Sequence, residues 1–234
     1  MRGDEIPDFG GRIAPFALCG EVFGDGAAGD GGAVRLGVSM MCPGRHTLAL
    51  WPQVHDMEPR LRFEIVPVGD LYDERETVMR SLGREVDVVQ SSFSTPRWGD
   101  ACQKLRIVTV PFYIDVPRTS RLARKTRITV ADLEGMRLRV LRHGNDAIDS
   151  LRIDLLADGG VDVIDVDSFD FALFNEAEEK GDAVLTCGAW SGVHPAFVGV
   201  PFLCGREVPV YLHYPLEPTL QVQKFVNAMA QLLK

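Results

Sequence analysis

From Ala33 onward, apolar strand-like runs alternate with helix-like stretches, and that order leaves few folds open. V-R-L-G-V-S, from Val34 to Ser39, reads as a buried strand. The turn M-M-C-P-G-R-H leads into the helical pattern T-L-A-L-W-P-Q-V-H-D-M-E, and the strand L-R-F-E-I-V-P-V follows. A second helix is expected from about Leu71 to Leu82, bounded by Asp70 and Gly83, with Leu71, Val78 and Leu82 on one face. E-V-D-V-V-Q is the next strand. Two βα units and a third strand specify a parallel sheet with right-handed crossovers.

Between Arg106 and Arg142 the chain reads as a long β-run, R-I-V-T-V-P-F-Y-I-D-V-P-R, then a charged turn, a short helix and the strand R-L-R-V-L. Thr129-Val130-Ala131-Asp132 has the look of a capping box, and Gly135 is placed to end that helix after little more than one turn. The alternation then repeats. Ile148, Leu151, Leu155 and Leu156 form a helical stripe ending at Gly159-Gly160. V-D-V-I-D-V is a strand, Ser168 is expected to cap a helix reaching about Glu179, and D-A-V-L-T-C is another strand. F-V-G-V-P-F and V-P-V-Y-L-H-Y precede a last helix from near Pro218, with Leu220, Phe225, Met229, Leu232 and Leu233 as its apolar face. The predicted class is α/β: two Rossmann-like lobes joined by two crossing segments. Lobe I takes 33–110 plus 208–234, lobe II takes 111–207, and 1–32 form a flexible tail.

The 234 residues, 46% of them hydrophobic, suffice for such a core. A formal charge of −8 argues against a nucleic-acid surface, which needs a basic face. No run of about twenty apolar residues occurs, so no membrane span is expected. Cys19, Cys42, Cys102, Cys187 and Cys204 are odd in number and form no C-x-x-C pair, which points to reduced thiols and a cytoplasmic setting. The Gly- and Asp-rich tail, ending G-D-G-A-A-G-D-G-G-A, precedes a strand where a phosphate loop would follow one. Its start also lacks the basic and long apolar regions of an export signal.

L-A-L-W-P-Q-V-H-D-M-E-P-R-L-R-F-E-I, L-G-R-E-V-D-V-V-Q, V-P-R-T-S-R-L-A, I-T-V-A-D-L-E-G-M and E-K-G-D-A-V-L-T occur in an order of their own. Together, over Ala33–Lys234, they resemble the effector-binding domain of LysR-type transcriptional regulators. That resemblance implies a type 2 periplasmic-binding-protein fold, a small-molecule effector between the lobes, and side-by-side pairing into a homodimer. For the pairing, Leu50, Val54 and Val78 are the candidate apolar residues. The family's helix-turn-helix and linker helix have no counterpart here, and no direct DNA contact by this chain is expected.

The site can be placed on physical grounds as well. Open α/β sheets bind ligands beyond the carboxyl ends of their strands, where helix N-termini point amides at them. Those ends carry Ser39-Met40, Ser91-Ser92-Phe93, Arg142-His143 and Thr186-Cys187-Gly188. Hydroxyls with one fixed positive charge suit a small organic anion, a carboxylate in particular. Ser, Thr and Gly are equally ordinary strand-end turn residues. Phe93 and Trp190 serve either as pocket walls or as plain core.

Catalysis finds little support. His46, His55, His143, His194 and His213 lie on different elements with no H-E-x-x-H pattern, and neither metal nor cofactor is expected. Cys187 near His194 lacks a recognisable orienting partner, and no G-x-S-x-G elbow occurs. The chain is therefore expected not to be an enzyme. A transporter's solute-binding protein and an enzyme on this scaffold are the alternatives, since fold alone does not choose function.

Overall fold

The computed structural model describes residues 32–40, 42–68, 81–92, 101–142 and 145–234. The expected tail and nearly all of the expected helix at 71–82 lie outside the described residues, as do Phe93 and His143.

The first sheet region grows from β1 (Ala33–Val38), which pairs in parallel with β2 (Arg62–Pro67) on one side and β3 (Val88–Ser91) on the other. Between β1 and β2 runs α1 (Arg45–Met57). The second region grows from β5 (Arg137–Leu141), parallel to β6 (Asp162–Val166) and β7 (Ala183–Cys187). Its helices are α2 (Asp146–Asp158) and α3 (Phe171–Lys180). The predicted βα repeat is therefore present in the second half; in the first half β1-α1-β2 shows one unit, and the second expected helix lies outside the described residues.

β4 (Gln103–Pro117) and β9 (Glu207–Tyr214) join the two regions. β4 pairs antiparallel with β9 from Gln103 to Pro111, with a bulge between Arg106 and Val108. Past that point its partners become β7, from Phe112 to Asp115, and β8 (Phe197–Pro201). One strand thus leaves one lobe and enters the other, and the return crossing runs from β8 to β9. The strand order is β2-β1-β3-β9-β4-β7-β5-β6, with β8 on β4.

The final helix, α4 (Leu220–Leu232), starts after Thr219, whose hydroxyl accepts from the Val222 amide, a little later than Pro218 suggested. Its buried face is Val222, Phe225, Val226 and Met229, while Leu220, predicted to be part of it, is 63% exposed. Position 220 precedes that stripe by half a turn, so its side chain swings to solvent. Phe225 packs with Phe63 at 5.6 Å, and Phe63 stacks on Trp51 of α1 at 4.6 Å. Val54 of α1 is fully buried in the same cluster, so it cannot serve as a dimer face.

Other local expectations shift for equally simple reasons. The short helix at Val130–Leu133 is 3-10 rather than α, held by the Asp132 carboxylate accepting from the Thr129 amide and hydroxyl at 2.9 and 3.0 Å. Four residues make little more than one turn at the three residues per turn of a 3-10 helix. Asp170, not Ser168, caps α3, accepting from the Leu173 amide at 2.8 Å. Ile148, Leu151 and Leu155 are buried on α2, but Leu156 is 48% exposed at the edge of the stripe.

Phe225→Ala should cost about 3–5 kcal/mol, because its cavity opens among rings that cannot collapse into it. Leu220→Ala should stay within about 0.5 kcal/mol. Urea unfolding of the two variants measures both, and equal costs would show that the packing of α4 is not as described.

Candidate functional site

At the carboxyl end of β1, the Ser39 hydroxyl accepts from the Cys42 amide at 3.1 Å, closing the turn that aims α1 across the sheet. Gly44 ends that turn at φ 64°, where an added Cβ would meet Leu36 Cδ2 at 2.9 Å. A glycine N-cap has no side chain to offer the first amides of α1. Gln90 of β3 supplies the missing acceptor: its Oε1 takes the Thr47 amide at 2.8 Å and the Thr47 hydroxyl at 3.0 Å. Its Nε2 lies 3.4 Å from His46 Nδ1. Burial, with a smaller contribution from Arg45, lowers the His46 pKa and favours a neutral ring.

On the opposite wall, β4 carries Asp115 in an apolar run, and its side chain is fully buried. Its Oδ1 accepts from the Thr186 hydroxyl at 2.8 Å and the Ser191 hydroxyl at 2.9 Å, and its Oδ2 from the Gly192 amide at 3.2 Å. Burial raises the Asp115 pKa, while these bonds and the positive charge of Arg45 oppose that rise. Arg45, the first residue of α1, donates from Nη1 to the Ser191 carbonyl at 3.3 Å. A second bond joins the walls, from Asn145 Nδ2 to Ser92 Oγ at 3.4 Å. The carboxyl ends of β1, β3 and β7 and the start of α2 therefore meet.

The predicted residues take different positions around this meeting point. Ser39 and Met40 are half-buried on the β1 turn, and Ser91 and Ser92 are buried at the end of β3. Thr186 is present but turned to Asp115. Cys187 is fully buried, and burial pushes its thiol up to about 12, so it stays protonated. Arg142 pairs with Asp167 through Nε at 3.1 Å and borders a surface hollow of about 390 Å³ with Asp149, Arg152, Ile153 and Asp165. Trp190 is core, 5.2 Å from the Phe169 ring. His194 lies 3.2 Å from the Asn175 side-chain oxygen. Among the described residues, no group of three or more His, Cys, Asp or Glu side chains is placed to hold a metal.

Sequence reasoning missed Arg45, Gln90, Asp115, Asn145 and Ser191. Two of them left a signal. Asp115 is an acidic residue inside an apolar strand, and Asn145 stands three residues before the stripe that begins at Ile148.

No protein-family model matches the sequence, and no curated protein matches it. Solved structures do match in fold. CbnR, a LysR family transcriptional regulator, is 15% identical with a TM-score of 0.67 over 88% of this chain and 71% of that one. The CcmR regulatory domain of Synechocystis PCC6803, in complex with 2-PG, is 13% identical with a TM-score of 0.58 over 86% and 97%. A mutant of ArgBP from T. maritima is 17% identical with a TM-score of 0.54 over 86% and 89%. The chain has the two-lobed α/β fold of LysR regulatory domains, the fold that the sequence pattern predicts. Among the described residues, no helix is long and apolar enough to cross a membrane.

At Gly199 of β8 an added Cβ would stand 1.7 Å from Ser191 Oγ and 2.9 Å from Asp115 Oδ1. Gly199→Ala must therefore push Ser191 off Asp115, at a cost of about 1–3 kcal/mol. A thermal unfolding midpoint unchanged by that substitution would contradict the packing around Asp115.

Proposed function

We propose that this chain is a small-molecule-sensing effector-binding domain of the LysR type, holding its effector between lobe I (33–110 and 208–234) and lobe II (111–207). The observation that carries the reading is the meeting of strand ends from both lobes. There Arg45 of one lobe reaches the Ser191 carbonyl of the other, and Asn145 reaches Ser92. A regulatory domain of the same fold in complex with 2-PG supports it.

The proposed ligand is a small organic anion bearing a carboxylate. Ser39, Met40, Ser91, Ser92, Phe93, His143, Thr186 and Cys187 remain the proposed surroundings, with hydroxyls and turn amides as donors. For the charge partner, Arg45 is the better candidate than Arg142. Its guanidinium bonds a neutral carbonyl, whereas that of Arg142 already holds the Asp167 carboxylate. The domain works without cofactor or catalysis, in the cytoplasm, and touches no membrane. By itself it makes no DNA contact, its charge of −8 being unsuited to phosphates.

A thermal-shift screen of organic and amino acids should find a stabilising carboxylate. Calorimetry should then show Arg45→Ala weakening it by about ten- to a hundredfold, the loss expected of a charge-assisted hydrogen bond. Arg142→Ala should change affinity less than about twofold, as for an exposed pair. The reverse order would return the charge role to Arg142.

Self-association as a homodimer is proposed too, through surfaces other than Val54. Among the described residues, β2 is an edge strand with one neighbour, and its Ile65 is 48% exposed. An open edge of this kind invites a second copy. Sedimentation at tens of micromolar should show a dimer that Ile65→Asp weakens, and a monomer in both cases would count against it.

A further inference from the structure

Asn145 has one side chain and two duties. Its Oδ1 accepts from the Ile148 amide at 2.9 Å and so caps α2. Because that amide can only donate, the oxygen must face it, which leaves Nδ2 to face Ser92 Oγ at 3.4 Å. Both residues are buried, Asn145 to 1% and Ser92 to 2% exposure. Ser, Thr or Asp would cap the helix about as well. Asp would offer no donor, and Ser or Thr would be too short to reach the end of β3. Among the favoured N-cap residues, Asn alone pairs an acceptor for the helix with a separate donor long enough to reach the facing strand.

We infer that Asn145 is a cross-lobe latch, tying the end of β3 to the start of α2 so that lobe closure and the α2 cap share one side chain. Opening the lobes withdraws the amide from Ser92 while the carbonyl stays on Ile148. The helix keeps its cap, and the tie can break and re-form without unfolding anything. A neutral hydrogen bond of this kind shifts the closed population about two- to tenfold. The Arg45–Ser191 bond lies on the same path, so both must release before the cleft opens fully.

The inference deepens the cleft reading by naming what holds the cleft shut, but its test needs no ligand. Failure of the ligand screen would leave the latch standing, and failure of the latch would leave the cleft reading standing. Spin labels on Glu64→Cys and Glu178→Cys, both exposed and on different lobes, report the opening by pulsed electron resonance. Cys19→Ser and Cys204→Ser would accompany them, since Cys42, Cys102 and Cys187 are buried. Ser92→Ala and Asn145→Ser should each lengthen or broaden the inter-label distance while the unfolding midpoint stays near that of the parent. Asn145→Ala should do the same and lower the midpoint as well, through loss of the cap. Distance distributions unchanged by Ser92→Ala and Asn145→Ser would overturn the latch and leave Asn145 a helix cap only.

Discussion

The fifteen residues of β4 carry the backbone hydrogen-bond ladder from one lobe into the other, and the remaining structure is arranged around that continuity. A buried strand must satisfy its N–H and C=O groups along its whole length. β9 does this from Gln103 to Pro111, and β7 and β8 take over from Phe112 to Pro117. The changeover itself is bonded: the Pro111 carbonyl accepts from the Gly188 amide at 3.0 Å, and that of Phe112 from the Phe202 amide at 2.9 Å. Pro111 has no N–H to leave unpaired, which suits it to the point where partners change. The return segment is pinned from Ile128, whose amide donates to the Pro201 carbonyl and whose carbonyl accepts from the Leu203 amide. Any change of lobe angle must be absorbed in these two crossings, because the ladders on either side are rigid.

Each lobe is stiffened by the same charged device. In lobe I, Arg35 on β1 forks onto Asp87, which stands one residue before β3, through Nε at 3.0 Å and Nη2 at 2.9 Å, and its backbone amide donates to the same carboxylate at 2.8 Å. In lobe II, Arg139 on β5 holds Asp182, one residue before β7, at 2.8 Å, and Glu176 of α3 at 2.9 Å. In both lobes the arginine lies on the central strand and the aspartate opens its parallel neighbour. Breaking the buried Arg139–Asp182 pair by removing one partner costs about 3–5 kcal/mol; the Arg35 side chain is 30% exposed, and its pair holds register more weakly. Neither spans the lobes. Among the described residues, the bonds that do are of a different kind, one neutral and one between a charged donor and a neutral carbonyl.

The strands were largely legible because apolar runs of this length, bounded by turn residues, have little choice. Arg137–Leu141 has the predicted boundaries, and the run beginning at Ala183 is displaced by one residue. Helix ends were less legible. Ser168 and Asp170 are both good caps two residues apart, and only packing of Leu173 and Phe174 decides between them. The strand ends near the site were also readable, because topology dictates where ligands go in such sheets. What those side chains bond to was not. That Thr186 would face Asp115, or Arg142 face Asp167, depends on pairings across 71 and 25 residues that no local pattern records. The cap that Gln90 gives α1 from another strand is equally invisible in sequence, since the helix start itself shows only a glycine.

These magnitudes decide how such a domain can switch. A ligand shifts lobe angle only by its difference in affinity between open and closed forms. Moving a population from nearly all open to nearly all closed takes about 5.5 kcal/mol. The apolar cluster within each lobe, many buried side chains each worth about 1.5–3 kcal/mol, lies far above that scale and stays intact through the change. The two cross-lobe bonds lie just below it, since one neutral and one charge-assisted hydrogen bond together amount to about 2–4.5 kcal/mol. On the function proposed above, a small anion meeting Arg45 and the facing hydroxyls would replace one of these bonds and add others of similar strength. That puts the balance between lobe positions within reach of a single small molecule, while the fold that presents them is not at stake.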